Sequence, residues 1–171
     1  MGIEVEHKFL VVDESWRTGA TSAARIVQGY LTHPGEGQSG LATVRVRTKG
    51  DQAYLTIKGP SRGTARSEFE YEIPVADALA MLDELAQGPT IDKVRHIVPV
   101  GRHVWEVDVF AGANAPLVLA EVELAGPDEA FEMPPWAGDD VSDDPRYYNV
   151  NLAREPYSNW GSTPASDAAP S

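Results

Sequence analysis

Apolar and charged residues alternate through most of the chain, and this two-residue period predicts β-strands. The segment GIEVEHKFLV at residues 2–11 places Glu4, Glu6 and Lys8 on one face of an extended chain and apolar side chains on the other. Similar alternation occurs in further segments, at residues 25–31, 43–49, 54–59, 67–73, 93–98, 105–110 and 119–124. Most of these segments are joined by short turns containing Gly or Pro, so the pattern predicts an antiparallel meander of about eight strands.

Helical periodicity is sparse. Residues 77–88, DALAMLDELAQG, space their leucines at helical intervals, and Asp77 and Gly88 are suited to cap the two ends. We expect this amphipathic helix to lie on the outside of the sheet. Residues 13–19 and 143–153 predict two further short helices. The predicted fold class is therefore mainly β (α+β), with a few external helices.

Composition indicates a globular protein. The chain has 171 residues, of which 42% are hydrophobic and 23% charged, so one domain with a sizeable core is expected. We place this domain at residues 1–154. From residue 155 the chain is rich in Pro, Ser and Ala without any period, which predicts a flexible tail over 155–171. The sequence contains neither a membrane-spanning apolar run nor a secretory leader, and a cytoplasmic location is expected.

Cysteine content and net charge narrow the range of ligands. Without cysteine the chain forms no disulfide and offers no thiolate ligand for zinc. The net charge is −12, from 26 acidic and 14 basic residues, and a field of this sign repels nucleic acid and anionic membranes. An anionic ligand must therefore be held by a local cluster of cations or through bound metal ions.

The charged faces of the predicted strands are segregated by sign. Acidic residues repeat on some strands, as in Glu68 and Glu70, and basic residues repeat on others, as in Arg45 and Arg47. A solvated sheet face explains the alternation in any single strand. Like charges on neighbouring positions of one face repel each other, however, so stability does not explain the repetition. The combined pattern favours a ligand-binding face.

Closure of the sheet would turn this face into a polar tunnel. A sheet of about eight strands can remove its edges by forming a barrel, and charges that face the interior then need partners or ligands. Carboxylate oxygens suit a hard cation such as Mg²⁺ or Mn²⁺, and Arg and Lys suit phosphoryl oxygens. The predicted ligand is a polyphosphate with a divalent cation. The candidate phosphate-binding cations are Lys8, Arg45, Arg47, Lys58, Lys93 and Arg95.

The ordered motifs of the chain resemble the CYTH superfamily, also called the triphosphate tunnel metalloenzymes. The N-terminal Glu-x-Glu-x-Lys signature of that family is matched by Glu4, Glu6 and Lys8. Further matches follow in order: QGYL (28–31), RVR (45–47), IK (57–58), RSEFE (66–70), KVR (93–95), WEVDVFAG (105–112), LAEVEL (119–124) and DDPRYYNVNLA (143–153). The resemblance implies a closed eight-stranded antiparallel β-barrel tunnel that binds a triphosphate and divalent metal ions.

The resemblance also implies roles for individual residues. The metal ligands would be Glu4, Glu6, Glu121 and Glu123, with Asp108 and Glu68 or Glu70 as further ligands. The six cations above would hold the phosphates, and Lys8 would also belong to the catalytic group with Glu4, Glu6, Glu70 and Asp108. Asp108 and Glu70 are alternative candidates for positioning the attacking water. Val150 stands where many relatives carry Lys, which leaves open a substrate contact from this segment.

The leading hypothesis is a metal-dependent triphosphatase that cleaves inorganic triphosphate (tripolyphosphate) to pyrophosphate and phosphate. Thiamine triphosphate and nucleoside triphosphates are alternative substrates. A class IV-type adenylate cyclase and a non-catalytic polyphosphate or nucleotide sensor are the alternative functions. We expect a small-molecule triphosphate as the partner, and neither nucleic acid nor a membrane. The oligomeric state stays open between a monomer and a homodimer.

Overall fold

The computed structural model describes residues 5–32, 42–60 and 67–160. Each segment predicted from alternation contains a strand. The strands are β1 (Val5–Val11), β2 (Ser22–Tyr30), β3 (Thr43–Lys49), β4 (Gln52–Lys58), β5 (Glu68–Ile73), β6 (Ile91–Val100), β7 (His103–Phe110), β8 (Val118–Leu124) and β9 (Ala137–Asp140). The α-helices are α1 (Val75–Glu84), α2 (Asn149–Arg154) and α3 (Tyr157–Trp160). Short 3₁₀ turns lie at Ser15–Gly19, Gly112–Asn114 and Pro145–Tyr147.

The nine strands form one antiparallel sheet in the order β5-β4-β3-β2-β6-β7-β8-β1-β9. The predicted closed eight-stranded barrel is wrong, because β5 and β9 each pair on one side and leave the sheet with two edges. β9 has only four residues, and its register with β1 shifts between Phe9 and Val11. A barrel needs a hydrogen-bonded ladder between its first and last strands, and within the described ranges β5 and β9 do not form one.

The open sheet is nevertheless strongly curved, and its charged face is the concave one. Glu6 on β1 and Glu70 on β5 lie near opposite ends of the strand order, yet both line one cavity of about 500 Å³. Large sheets coil because every strand is twisted in the same sense. The sheet therefore wraps around the cavity without closing.

The apolar face packs away from the cavity. One core cluster contains Phe9, Trp105 and Val122 together with Trp16 and Trp136. Trp16 and Trp105 are fully buried, at 1% and 0% exposed. Burial of a large apolar side chain contributes about 1.5–3 kcal/mol, so these contacts hold the curved sheet in shape.

Helix α1 packs on the outer face of β3 and β4 through Ala78, as the amphipathic pattern predicts. Its predicted bounds are wrong at both ends. The helix begins at Val75 after Pro74, so Asp77 lies in the first turn rather than at the N-cap. It ends at Glu84, and Gly88 lies beyond it with a φ of +78° that favours glycine.

The two other predicted helical segments are confirmed as short helical turns, at Ser15–Gly19 and at Pro145–Tyr147 followed by α2. Helix α3 occupies the start of the predicted tail, and Trp160 there packs against Tyr147 with 5.1 Å between ring centroids. The rest of that tail lies outside the described residues. None of the described helices is long and apolar enough to cross a membrane.

Candidate active site

The structure brings most of the predicted site residues to the wall of the cavity. They are Glu6, Lys8, Arg45, Arg47, Lys58, Glu68, Glu70, Arg95, Glu121 and Glu123. Period-two alternation explains this result, because it places every second side chain of a strand on the concave face. Lys93 and Asp108 lie behind the wall, and Glu4 lies outside the described residues.

Acidic and basic side chains meet where β1 pairs with β8. Glu6 lies opposite Glu123, and Lys8 lies opposite Glu121. Lys8 Nζ is 3.3 Å from Glu121 Oε1 and donates to the backbone carbonyl of Tyr147 at 3.1 Å. The Glu6 side chain is exposed to the cavity, but the surrounding walls keep it from most of the bulk water. This desolvation and the negative charge of Glu121 raise the pKa of Glu6 to about 7.

These carboxylates have the donor chemistry that a divalent cation requires. Glu121 and Glu123 both raise the pKa of Glu6, so a cation bound among the three side chains would relieve their repulsion. Oxygen ligands of this kind are preferred by Mg²⁺ and Mn²⁺. In the part of the chain that the structure describes, no three His, Asp or Glu side chains are already gathered as a metal site. Glu4, a further expected ligand, lies outside that part.

A buried ion-pair network lies behind the wall at β6 and β7. Asp108 Oδ2 is 2.8 Å from Lys93 Nζ, and Arg95 donates to both Asp108 oxygens at 2.8 and 2.9 Å. Burial alone would raise the pKa of Asp108, but the charges and hydrogen bonds of Lys93 and Arg95 hold it well below its usual range. Both carboxylate oxygens are thus engaged by cations. Asp108 is poorly placed to bind a metal ion or a water molecule as well.

Arg95 connects this network to the cavity. In addition to Asp108, its guanidinium contacts Glu106 at 3.3 Å and Glu121 at 3.8 Å. Glu121 in turn contacts Lys8. A chain of alternating charges therefore runs from the interior of the sheet to the cavity, and each member fixes the orientation of the next.

The opposite wall, on β3, β4 and β5, is more open. Arg45 NH2 donates to Thr56 Oγ1 at 3.2 Å, and Thr56 Oγ1 donates to Glu70 Oε2 at 3.0 Å. Arg45 and Glu70 are themselves 3.8 Å apart. The Glu70 side chain is 45% exposed, whereas that of Asp108 is 1% exposed. Lys58 and Glu68 occupy paired positions on β4 and β5 and line the same wall.

Some cavity residues were not assigned to the site from the sequence: Tyr30, Thr43, Glu106, Tyr148, Asn149 and Val150. Asn149 Oδ1 accepts a hydrogen bond from Lys93 Nζ at 3.0 Å, and the carbonyl of Tyr147 accepts one from Lys8. The segment that leads into α2 therefore forms one side of the cavity, and Val150 lines it with an apolar side chain. The QGYL and RYYN stretches contain several of these residues, but Tyr30, Tyr148 and Asn149 are uncharged and the sequence pattern was one of charges.

Two histidines lie outside this arrangement. The His96 ring packs edge-on against Trp16 at 4.7 Å between centroids, and His7 Nδ1 is 3.5 Å from Asp140 Oδ2. Neither is among the residues that line the cavity. Both therefore lie outside the candidate site.

The chain is similar to known proteins over most of its length. The CYTH domain profile matches residues 2–152. An inorganic triphosphatase of Acetivibrio thermocellus is 41% identical over 160 residues, which cover 94% of this chain and 99% of that protein. An inorganic triphosphatase of Nitrosomonas europaea is 38% identical over 154 residues, covering 88% and 96% respectively. The crystal structure of the inorganic triphosphatase NE1496 superposes with a TM-score of 0.68 at 35% identity, covering 90% of this chain and 95% of that one.

Proposed function

The chain belongs to the CYTH domain family, and on this basis we propose that it hydrolyses inorganic triphosphate to pyrophosphate and phosphate with the help of a divalent cation. One observation carries the proposal: a cavity of about 500 Å³ is lined by both cations and carboxylates, and each of its two walls contributes residues of both kinds. Such a cavity requires a ligand that brings negative charge to the cations and a cation to the carboxylates. A triphosphate bound with a divalent metal ion is a ligand of this kind.

The cations of the cavity wall would bind the phosphoryl oxygens. Arg45, Arg47, Lys58 and Arg95 come from three different strands, β3, β4 and β6, and line the space. Arg45 Nε is buried and has no hydrogen-bond partner in the described structure, so its N–H group could donate a hydrogen bond to a bound anion. Arginine can meet two phosphoryl oxygens at once, and fixed cations of this kind stabilise the charge of the transition state.

The carboxylates on β1 and β8 would hold the metal ion. We assign Glu6, Glu121 and Glu123 to this role, with Glu4 as a further ligand. Bound Mg²⁺ or Mn²⁺ would withdraw charge from phosphoryl oxygens and so make phosphorus more electrophilic. Burial raises the pKa of Glu6 most, and repulsion from Glu121 and Glu123 raises it further; a bound cation would remove this repulsion, which supports the assignment.

Glu70 is our candidate for positioning the attacking water. Its carboxylate accepts a hydrogen bond from Thr56 and remains partly exposed to the cavity, so it has lone pairs available for water. In the reaction, the water oxygen bonds to a terminal phosphorus, the bond from that phosphorus to its bridging oxygen breaks, and pyrophosphate leaves. Glu70 accepts the proton that the water loses. Asp108 was the alternative candidate, but Lys93 and Arg95 engage both of its oxygens.

The decisive test is phosphate release from tripolyphosphate in the presence of Mg²⁺ or Mn²⁺. We expect turnover by the wild-type protein and a loss of at least about hundredfold in Glu6→Gln. Glu84→Gln, which changes a carboxylate at the end of α1 outside the cavity, is the matched control and should behave as wild type. Absence of turnover with either metal ion would overturn the proposal.

The same assay separates the substrates and reactions considered above. Thiamine triphosphate and ATP, supplied at equal concentration, should be turned over more slowly than tripolyphosphate. Chromatography of the ATP reaction distinguishes hydrolysis, which gives ADP, from cyclisation, which gives cyclic AMP and pyrophosphate. Production of cyclic AMP as the main product would replace the proposed reaction with that of a cyclase.

A further inference from the structure

Arg47 differs from the other arginines of the cavity in how it is held. Arg45 lies 3.8 Å from Glu70, and Arg95 makes short ion pairs with Asp108. Among the residues that the structure describes, no carboxylate oxygen lies within ion-pair distance of Arg47. Its Nε instead donates to a neutral side chain, the amide oxygen of Gln28, at 3.0 Å.

Gln28 is completely buried behind the cavity wall, at 0% exposed. It lies on β2 directly opposite Arg47 on β3, and two residues before Tyr30 on the same face of β2. Its amide oxygen accepts from Arg47, and its amide nitrogen donates to the Tyr30 hydroxyl at 3.0 Å. Both ends of the amide are therefore used to hold residues of the cavity wall, and the sheet register fixes all three positions.

A neutral partner has a different electrostatic effect from a carboxylate. The amide oxygen orients the guanidinium of Arg47 by a hydrogen bond but does not cancel its charge. Burial and the positive charges of Arg45 and Arg95 lower the pKa of Arg47 to about 10, which shows that its charge is poorly compensated. An anion in the cavity would provide the missing compensation.

In the contact between Gln28 and Tyr30, the Tyr30 hydroxyl oxygen is the hydrogen-bond acceptor. The Tyr30 oxygen accepts a hydrogen from the Gln28 amide, so the hydrogen of the hydroxyl itself must point away from Gln28. Tyr30 lines the cavity. Gln28 therefore fixes the position of the Tyr30 hydroxyl at the cavity wall.

We infer that Gln28 is a positioning residue that holds Arg47 without neutralising it and fixes the Tyr30 hydroxyl beside it, so that the charge of Arg47 stays available to one phosphoryl group of the ligand. This inference rests on the proposed function, because it takes the ligand to be a triphosphate. A neutral amide is needed at this position. A carboxylate of the same size would pair with Arg47 and compete with the substrate.

The test compares substitutions of Gln28 with a matched change outside the cavity. Gln28→Glu adds a carboxylate with almost no change in shape, and Gln28→Met keeps the length but removes both hydrogen bonds. The control is Gln52→Glu, because Gln52 lies at the exposed start of β4 and accepts a hydrogen bond from Tyr54 at 3.1 Å. Thermal unfolding of each variant shows that it is folded, and calorimetry with the non-hydrolysable imido analogue of tripolyphosphate and Mg²⁺ measures binding.

We expect Gln28→Glu to weaken binding of the analogue about tenfold, since one cation is lost to a carboxylate, and Gln28→Met to weaken it about threefold. In turnover assays the loss should appear mainly in KM for tripolyphosphate. Gln52→Glu should bind within about twofold of wild type. Binding by both Gln28 variants within that same range would overturn the inference, as would a loss confined to kcat. If Gln28→Glu does not fold, Gln28→Met decides the matter.

The outcome is separable from that of the proposed function. Binding of the analogue does not require turnover, so a wild-type protein that binds it but releases no phosphate would contradict the triphosphatase proposal alone. A wild-type protein that turns over tripolyphosphate, with Gln28 variants that bind normally, would contradict the role of Gln28 alone.

Discussion

The two walls of the cavity hold their charges in opposite ways. On the wall formed by β6, β7, β8 and β1, Asp108 and Lys93 are completely buried, and Arg95 links them to Glu121. On the wall formed by β3, β4 and β5, the carboxylates lie on an edge strand, and Glu70 is nearly half exposed. The network of Lys93, Arg95 and Asp108 behind the first wall is preformed, and its charges are paired. The second has charges that remain available to a ligand.

This difference indicates that the buried charges stabilise the fold and the exposed charges serve the ligand. Buried charges are tolerated only when their partners are fixed, so the fold must depend on each member of the network of Lys93, Arg95 and Asp108. Exposed charges contribute little to stability because water solvates them, so the second wall can be changed without unfolding the protein. We expect substitutions in this buried network to destabilise the protein. Substitutions of the exposed carboxylates, Glu6 on β1 and Glu70 on β5, should instead affect metal binding or catalysis.

The largest effect is expected from Asp108→Asn. Loss of this carboxylate leaves the charges of Lys93 and Arg95 buried without their main partner. We expect the free energy of unfolding to fall by about 3–5 kcal/mol, measured by urea denaturation. Asp92→Asn is the control, because Asp92 pairs with Arg25 on the surface at 2.8 Å and its loss should hardly move the midpoint. Equal midpoints for the two variants would show that the buried network does not stabilise the fold.

The next effect is expected from Glu70→Gln on the open wall. The amide cannot accept the proton of the attacking water, so kcat for tripolyphosphate should fall by about hundredfold. The urea midpoint should stay at the wild-type value, since the side chain is partly exposed. Glu72→Gln changes an exposed carboxylate on the same strand that is not among the residues lining the cavity, and it should retain activity. A Glu70→Gln enzyme with normal kcat would remove Glu70 from its proposed role.

The faces of the strands could be predicted from the sequence, because alternation is a local property. Lys8, Arg45 and Glu121 were placed on one charged face, and the structure puts all three on the cavity wall. Whether the sheet closes into a barrel could not be predicted, because closure depends on whether its two edge strands, which are far apart in the sequence, pair with each other. β9, with the sequence AGDD, shows no apolar alternation, so its presence at one edge was missed.

Roles within the charged face were harder to predict than the face itself. Glu106 and Asp108 alternate onto the same side of β7, but only Asp108 is enclosed by cations. How deeply a side chain is buried in a curved sheet depends on residues of other strands. The sequence of its own strand therefore does not predict that burial. Gln28 was matched as part of the QGYL motif but was given no role because it is uncharged, although its contacts with Arg47 and Tyr30 are as specific as those of an ion pair.

The effect of pH on metal binding would show whether the acidic group on β1 and β8 behaves as assigned. The pKa of Glu6 is raised from 4.5 to about 7, so the folded protein retains a proton there that the unfolded chain has already lost. The stability of the metal-free protein should therefore fall as pH rises from 4.5 to 7. Mg²⁺ needs the ionised carboxylate, so its affinity should rise over the upper part of this range and level off above pH 7.

We expect Mg²⁺ to bind about tenfold more weakly at pH 6 than at pH 8, measured by calorimetry without triphosphate. Glu6→Gln should bind more weakly and lose most of this pH dependence. At pH 8 without metal, Glu6→Gln should also melt at a higher temperature than wild type, and the difference should shrink towards pH 4.5. A Mg²⁺ affinity that does not change between pH 6 and 8 would show that Glu6 is not the titrating ligand.

The smallest effect is expected from Thr56→Val, which tests how the open wall is held together. Thr56 is buried at 0% exposed, and its hydroxyl bridges Arg45 on β3 and Glu70 on β5. Valine has the same shape but cannot bridge them, so the edge strand would lose a contact that aligns its carboxylate with the cavity. Water can replace both hydrogen bonds in part, because Glu70 is accessible.

We expect kcat/KM for tripolyphosphate to fall about fivefold in Thr56→Val, which corresponds to about 1 kcal/mol of lost transition-state stabilisation. Thr56→Ser, which keeps the hydroxyl, should restore most of the activity. A purely structural role predicts the opposite order, because serine leaves a small cavity where the methyl group was and valine does not. The ranking of these two variants therefore decides whether the open wall is aligned by the hydrogen bonds of Thr56 or by its packing alone.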